Sequence, residues 1–512
     1  MRVSTYTRVY PVIRKNNLPD PDYALLVNGL YLSFDVVPAR IGSALSQGRT
    51  DFSKEITLRL KRRGHLTEMG EREETDVLRF LSALVRCINR QKLYIHLLPT
   101  YNCNFRCPYC FESHRLKNGE AWLTRTMPPQ TVDAVFKMLQ KKQEQGITIP
   151  KVNLYGGEPL LKENLELIRY ICDHCSALHI PVAAVTNGYD LGEHLDVIVS
   201  TPFSGLQVSV DGYGSLTDSC RRHRDGLPTY ERIMDNVKKA YAHGIRTWLW
   251  INTDRNRLPQ IGAILADMRA RGLREVPRRF EYRVRSVNLS PGNELEVKPE
   301  EIVDALIAAG LTREEARLHT TPFDTLSRRI FRIMNREGYP GLRPCRCKAH
   351  NSGQYVIDPF GKVYGCTRIV GNEAAAIGHI DVETAEFVPE INGLFWDRRD
   401  VASLSKCRTC PSAMLCGGGC AERAFAVSGN YFSENCRGME FISKLLSHIV
   451  GETWNPGMNE ELSLSWAELF ASISVGDRER FMRTGSIADQ MAILREEPWS
   501  SVLKQVLQTG VV

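Results

Sequence analysis

The sequence predicts an α/β fold with a parallel sheet that closes into a barrel or partial barrel. Two observations carry this. Between residues 93 and 295, six short apolar runs alternate with helical patterns. The glycine-rich and polar turns of that region follow the runs at their C-terminal ends, where such folds gather their chemistry. A third observation sets the last part of the chain apart: eight of its fifteen cysteines fall between Cys345 and Cys436.

Residues 1–92 contain YALLVNGLYLSFDVV, a hairpin pattern with Asn28-Gly29 at its turn. A helical pattern, the stretch LKRRGHLTEMGEREE and a second helix reaching Cys87 follow. Two strands, helices and a wing predict a small winged-helix-like domain. Residues 93–295 supply the strand candidates LYIHLLPT, KVNLYGG, VAAVTNG, GLQVSV, TWLWINT and RFEYRVR. Helical patterns such as TVDAVFKMLQKKQEQG, KENLELIRYICDHCSAL and TYERIMDNVKKAYAHG lie between them. Residues 296–344 read as a helical bridge (KPEEIVDALIAAG, TPFDTLSRRIFRIMNREG), 345–440 as a cysteine-rich domain and 441–512 as a helical tail whose purpose the sequence does not give.

The chain has 512 residues, 43% hydrophobic and 24% charged, the composition of an ordinary globular protein. Its net charge of +7 is spread out, which gives no basis for a nucleic-acid partner. The start, MRVSTYTRVYPVIRKNN, lacks the apolar core of a secretory signal. No apolar run approaches about eighteen residues, so no membrane span is expected. So many cysteines without a secretory signal point to metal thiolates and to a reducing, cytoplasmic compartment.

Cys103, Cys107 and Cys110 stand together in TYNCNFRCPYCFE, after the first strand of the barrel region. Thiolates are soft ligands suited to iron–sulfur clusters. Three of them leave one iron of a four-iron cluster open. By themselves they also suit a zinc site completed by His114. Tyr109 and Phe111 flank the last cysteine, either to pack on a base or as core.

The C-x3-C-x2-C spacing, with an aromatic just before its last cysteine, resembles the signature of radical S-adenosylmethionine (SAM) enzymes. The resemblance implies that the open iron chelates SAM and that a reduced [4Fe–4S] cluster cleaves it to a 5′-deoxyadenosyl radical. Gly156-Gly157-Glu158-Pro159, ending the second strand, is similar to the family's motif for the SAM amino group. Glycines allow close backbone approach, and Glu158 is a natural acceptor for an ammonium. Asn187, Ser209 and Asp211 end the next strands, at positions that in relatives surround the ribose and carboxylate of SAM. Asn252 is a further strand-end polar residue. Arg221 fits a D-x2-R-x4-G loop from Asp218 to Gly226, whose arginine is implied to meet the SAM carboxylate.

Cys407, Cys410, Cys416 and Cys420 form C-x2-C-x5-C-x3-C, followed by Cys436; upstream, Cys347 precedes a G-x4-C at Gly361 and Cys366. This layout is similar to the SPASM extension of peptide- and protein-modifying radical SAM enzymes. It implies two auxiliary [4Fe–4S] clusters and so three per chain. One takes Cys345, Cys347, Cys366 and Cys420, with Cys345 its doubtful member. The other takes Cys407, Cys410, Cys416 and Cys436. A pair of four-cysteine zinc sites is the alternative.

The function implied is radical modification of a ribosomally made peptide or protein by cross-linking, epimerisation or oxidation, with flavodoxin or ferredoxin as electron donor. Residues 1–90 would then hold the peptide, and deleting them is expected to weaken its binding while SAM cleavage survives. A sulfatase-maturating activity is the nearest competitor, but Thr367 follows Cys366 where that subfamily has an acidic residue. A non-catalytic iron–sulfur electron-transfer scaffold would leave the GGEP, TNG and SVDG turns unexplained. Cys220, beside Arg221, is a candidate hydrogen-atom donor. Cys172 and Cys175, three apart in a helical pattern, and Cys87 read as buried packing.

Overall fold

The computed structural model describes residues 1–14, 18–287, 293–321, 341–350, 353–436, 438–471, 473–484 and 487–508. They form two units that interleave along the chain: residues 1–91, 326–351 and 397–512 make one, and 92–325 with 352–396 make the other.

The first unit opens with β1 (Arg2–Val3), β2 (Thr7–Ile13), β3 (Pro19–Asn28) and β4 (Ser33–Pro38). Then come α1 (Ala39–Ser46), α2 (Lys54–Arg62), β5 (Leu66–Thr67) and α3 (Glu71–Asn89). Strands β2, β3 and β4 form an antiparallel sheet, while β5 pairs with β1. The expected hairpin is β3–β4, with Asn28 opposite Ser33. The Asn28 carboxamide oxygen accepts from the N–H groups of Leu30 and Tyr31, which turns the chain. Ala24, Leu26 and Val37 of the sheet pack on Ile41, Leu45 and Leu60 of α1 and α2.

Residues 1–91, nearly all of the stretch expected as a separate winged-helix-like domain, share this unit with the C-terminal tail and with most of the late cysteines. The reason is physical. Arg63 and Asp35 are both buried, pair at 2.9 Å and need further partners, which Ser463 and Glu468 supply. Phe80 of α3 packs against Phe470, Phe481 and Trp499. The tail therefore completes the core around α3.

The second unit holds the predicted parallel sheet. Strands β6 (Tyr94–Leu97), β7 (Val152–Leu154), β8 (Val182–Thr186), β9 (Phe203–Val210), β10 (Thr247–Thr253) and β11 (Phe280–Ser286) lie side by side in chain order, all parallel. Each coincides with one apolar run named above. This is the partial (β/α)6 barrel expected. Helices Pro129–Glu144, Leu165–Ala177 and Tyr230–Ala242 occupy the predicted patterns. Cys172 and Cys175 are fully buried in the second of these, and Cys87 is buried in α3.

The 345–440 segment is divided. Its strands β12 (Gln354–Ile357), β13 (Lys362–Tyr364), β14 (Gly378–Asp381) and β15 (Glu386–Pro389) extend the core's sheet, because β12 pairs in parallel with the otherwise open edge of β6. Of the expected bridge, helices Pro299–Ala308 and Arg313–His319 are present. The pattern TPFDTLSRRIFRIMNREG falls almost wholly outside the described residues. Among the described residues no helix is long and apolar enough to cross a membrane.

Candidate active site

The loop after β6 carries Cys103, Cys107 and Cys110, and its shape is imposed by two other turns. From one side, the Gly157 and Glu158 N–H groups donate to Thr100 O and Asn102 O at 3.3 and 2.8 Å. A Cβ at Gly156 would lie 2.6 Å from Thr100 O, and one at Gly157 would collide with the carbonyls of Tyr101 and Asn102. From the other side, Arg106 N–H donates to Arg222 O and Arg224 N–H to Asn104 O, at 2.7 and 2.8 Å. The glycines thus bring backbone against the cysteine loop itself.

Glu158 is buried, and its carboxylate accepts from Leu160 N–H at 2.9 Å, Thr186 Oγ1 at 2.6 Å and Asn187 N–H at 2.5 Å. Burial pushes its pKa up to about 7 despite those bonds. Both carboxylate oxygens accept from internal donors, so Glu158 locks the GGEP turn to the end of β8. Pro159 is buried behind it and its carbonyl accepts from Asn164 Nδ2. Asn187 donates through Nδ2 to Asn104 Oδ1 at 2.7 Å and accepts from Tyr189 N–H, joining the β8 turn to the cysteine loop.

Asp211, fully buried after β9, is a hub: it accepts from Asn252 Nδ2 at 2.8 Å and faces Arg257 at 3.4 Å and Arg221 at 3.6 Å. Arg257 also pairs with Asp254 at 2.7 Å, and Arg285 donates to Asn252 Oδ1 at 2.6 Å. Ser209 is buried on β9. Arg221 Nη1 lies 3.4 Å from Tyr109 Oη, whose ring faces Arg257 at 5.5 Å. Asp218 accepts from Thr229 and Tyr230 N–H groups, fixing the loop that carries Arg221 and Cys220. Cys220 is half-buried, close enough to Cys107 and Arg257 to act on both electrostatically.

Burial, ahead of Glu158 and the neighbouring thiols, pushes the Cys103 thiol well up; burial also raises Cys107 to about 11, which Arg221 opposes. Such thiols stay protonated unless a cation takes the proton's place. The donor set therefore fits a metal cluster, with Arg221 near at hand. Among the described residues no three Cys, His, Asp or Glu side chains converge on one ion. A cluster requires only neighbouring thiols, since each binds a different iron. The His114 side chain lies outside the described residues.

In the first unit, Cys407 acts electrostatically with Cys410, Cys416 and Cys436, and Cys347 with Cys420. Gly417 allows the backbone of Cys345 to approach, where a Cβ would lie 2.5 Å from its carbonyl carbon. Cys345 is buried and Cys347 exposed. Cys366 belongs to the second unit, near Tyr155.

Asn104, Arg257 and Arg285 were not singled out from sequence. Asn104 was visible inside the cysteine run and Arg257 three residues after Asp254; Arg285 gave no signal beyond alternation along β11.

Residues 97–254 match the model of the radical SAM superfamily. This stretch is a radical SAM domain. The residues that meet in it are those of the cysteine loop and its supports. The chain is 27% identical to a GTP 3′,8-cyclase of Aliarcobacter butzleri over 164 residues, 32% of this chain and 47% of that protein. It thus spans about half of that relative's length. Identity to the Sulfurimonas denitrificans GTP 3′,8-cyclase is 25% over 56% of this chain and 79% of the relative. Identity to a pre-heme d1 synthase of Dinoroseobacter shibae is 21% over 66% and 83%. Among solved structures, anSMEcpe with bound AdoMet aligns with TM-score 0.49 and 17% identity, covering 70% of this chain and 100% of that one. Streptococcus suis SuiB bound to the precursor peptide SuiA aligns with TM-score 0.48 and 15% identity, over 85% and 98%.

Proposed function

We propose that this protein is a radical SAM maturase that modifies a ribosomally made peptide or protein, with two auxiliary [4Fe–4S] clusters beside the SAM-binding one. The observation that carries the reading is the cysteine inventory: a three-thiol loop in the radical SAM domain plus eight late thiols in the SPASM spacing. The cluster in the loop, when bound, supplies the electron that reductively cleaves the SAM sulfonium.

The chain's own residues do the rest. Cys103, Cys107 and Cys110 would hold the cluster by one thiolate each. Gly156, Gly157, Glu158 and Pro159 set the loop's path, and Asn187 ties it to β8. Arg221, steered by Asp211, Tyr109 and Asp218, is the cation for the SAM carboxylate. Ser209 and Asp211 line the strand ends beside it. Cys220 stands within the same neighbourhood as a thiol able to donate a hydrogen atom to a substrate radical. In the first unit, Cys345, Cys347 and Cys420 would serve one auxiliary cluster, and Cys407, Cys410, Cys416 and Cys436 the other. A flavodoxin or ferredoxin would supply electrons in the cytoplasm.

A second reading, a small anionic substrate, is favoured by the arginines at the strand ends: Arg221, Arg257 and Arg285 meet around the single hub Asp211. One experiment separates the two. The reconstituted enzyme, SAM and a reductant are incubated with short peptides encoded beside its gene, and separately with GTP. A peptide losing two hydrogens, or gaining deuterium at one α-carbon in D2O, supports the maturase. Conversion of GTP with every peptide unchanged overturns it.

A further inference from the structure

Arg399 is completely buried in the first unit, and its guanidinium is enclosed by backbone. Nε donates to Tyr431 O at 2.6 Å and Nη1 to Gly419 O at 3.1 Å. Nη2 donates to Ser433 O at 2.8 Å and Gly418 O at 3.3 Å. Two of these carbonyls immediately precede Cys420 and two lie just before Cys436. Carbonyl dipoles orient the group and satisfy its donors, but they bring no net negative charge.

Among the described residues, no carboxylate lies within ion-pair distance of Arg399. The adjacent Asp400 faces Arg86 at 2.9 Å, and Glu434 pairs with Lys406 at 2.7 Å while acting on Arg399 only from beyond ion-pair distance. A buried cation is strongly disfavoured unless a counter-charge lies close to it. The groups acting on it most strongly are the sulfurs of Cys345, Cys347, Cys407 and Cys420. Cys345 Sγ also lies 3.3 Å from the carbonyl oxygen of Arg399. Neutral thiols would leave the guanidinium only the more distant Glu434, already paired with Lys406, whereas metal-bound thiolates compensate it at close range. Those four sulfurs divide between the two ligand sets: Cys345, Cys347 and Cys420 in one, Cys407 in the other.

We propose that Arg399 is the internal counter-ion shared by the two auxiliary cluster sites, a positioning residue that holds their reduction potentials up and ties the 418–420 turn to the 431–436 segment. This rests on the auxiliary-cluster reading above. Reduction adds negative charge to a cluster, so a fixed cation in a low-dielectric surround favours the reduced form. Arginine suits the place because its planar fork meets four carbonyls while keeping its charge under all conditions.

The test is an EPR-monitored redox titration of the full-length, anaerobically reconstituted protein and of its Arg399→Gln and Arg399→Lys variants, with iron and sulfide counted on each. Wild type should carry about twelve irons, four for each of three clusters. Arg399→Gln at full loading should show both auxiliary midpoints moved to more negative potential, while the signal that responds to SAM holds its position. Arg399→Lys should stay near wild type. If Arg399→Gln loses auxiliary iron, retention of iron and wild-type midpoints by Arg399→Lys supports the charge role. Unchanged midpoints in a fully loaded Arg399→Gln overturn the proposal. So does loss of about eight irons from both variants, since the lysine keeps the charge. A wild-type protein that binds only about four irons would remove the auxiliary-cluster reading itself, and is seen before any variant is made.

Discussion

Glu158 shows how one buried motif residue can tie two turns of a site together. Its carboxylate is buried among three donors, and its pKa stands near 7 against an ordinary 4.5. The folded state therefore holds this proton more tightly than the unfolded chain. Its contribution to stability is complete below pH 4.5 and is lost as the pH rises towards 7, by about 3 kcal/mol at most. Glu158→Gln should flatten that slope in denaturant titrations from pH 4.5 to 7; an unchanged slope would assign it elsewhere. Because an amide NH2 would face N–H donors, the variant should also cost about 1–3 kcal/mol near pH 7.5. Asp211→Asn should be more severe, leaving Arg221 without its buried carboxylate and Arg257 with Asp254 alone, at about 3–5 kcal/mol. Loss of SAM binding in calorimetry, with secondary structure kept, is the expected companion.

At the scale of elements, the site is a cysteine loop clamped between two turns. Gly157→Ala would drive a methyl into the carbonyls of Tyr101 and Asn102, so it should displace the loop and lower its iron loading several-fold. The check is iron content alongside circular dichroism; a folded variant with full iron would contradict the clamp. The strands and this loop were legible because apolar runs, Gly-Gly and closely spaced cysteines are local signals. The arginine hub was not. Arg257 and Arg285 lie in different βα units, and nothing in a linear reading joins them through Asp211 and Asn252. The destination of β12 was equally hidden, since QYVI gives no sign of which strand edge it will cover.

At the scale of the molecule, the chain order expected from sequence gives way to two interleaved units. Residues 1–91 are packed into the unit that carries Cys345, Cys347 and Cys407–Cys436: Met414 N–H donates to Gly29 O, and Tyr6 Oη donates to Arg408 O. Deleting residues 1–90 should therefore cost late-cysteine iron as well as any peptide affinity. An iron count that fell by about eight per chain would agree; a truncated protein with full iron would show that the late cysteines fold without their neighbours.

The most direct test of the central assignment is anaerobic. The reconstituted protein is reduced with dithionite in the presence of SAM, and 5′-deoxyadenosine is measured beside a Cys103→Ala/Cys107→Ala/Cys110→Ala variant. Formation by wild type and none by the variant is the predicted result. An iron-loaded wild type that forms none, or a variant that forms as much, would contradict the assignment of the three-cysteine loop as the site of SAM cleavage.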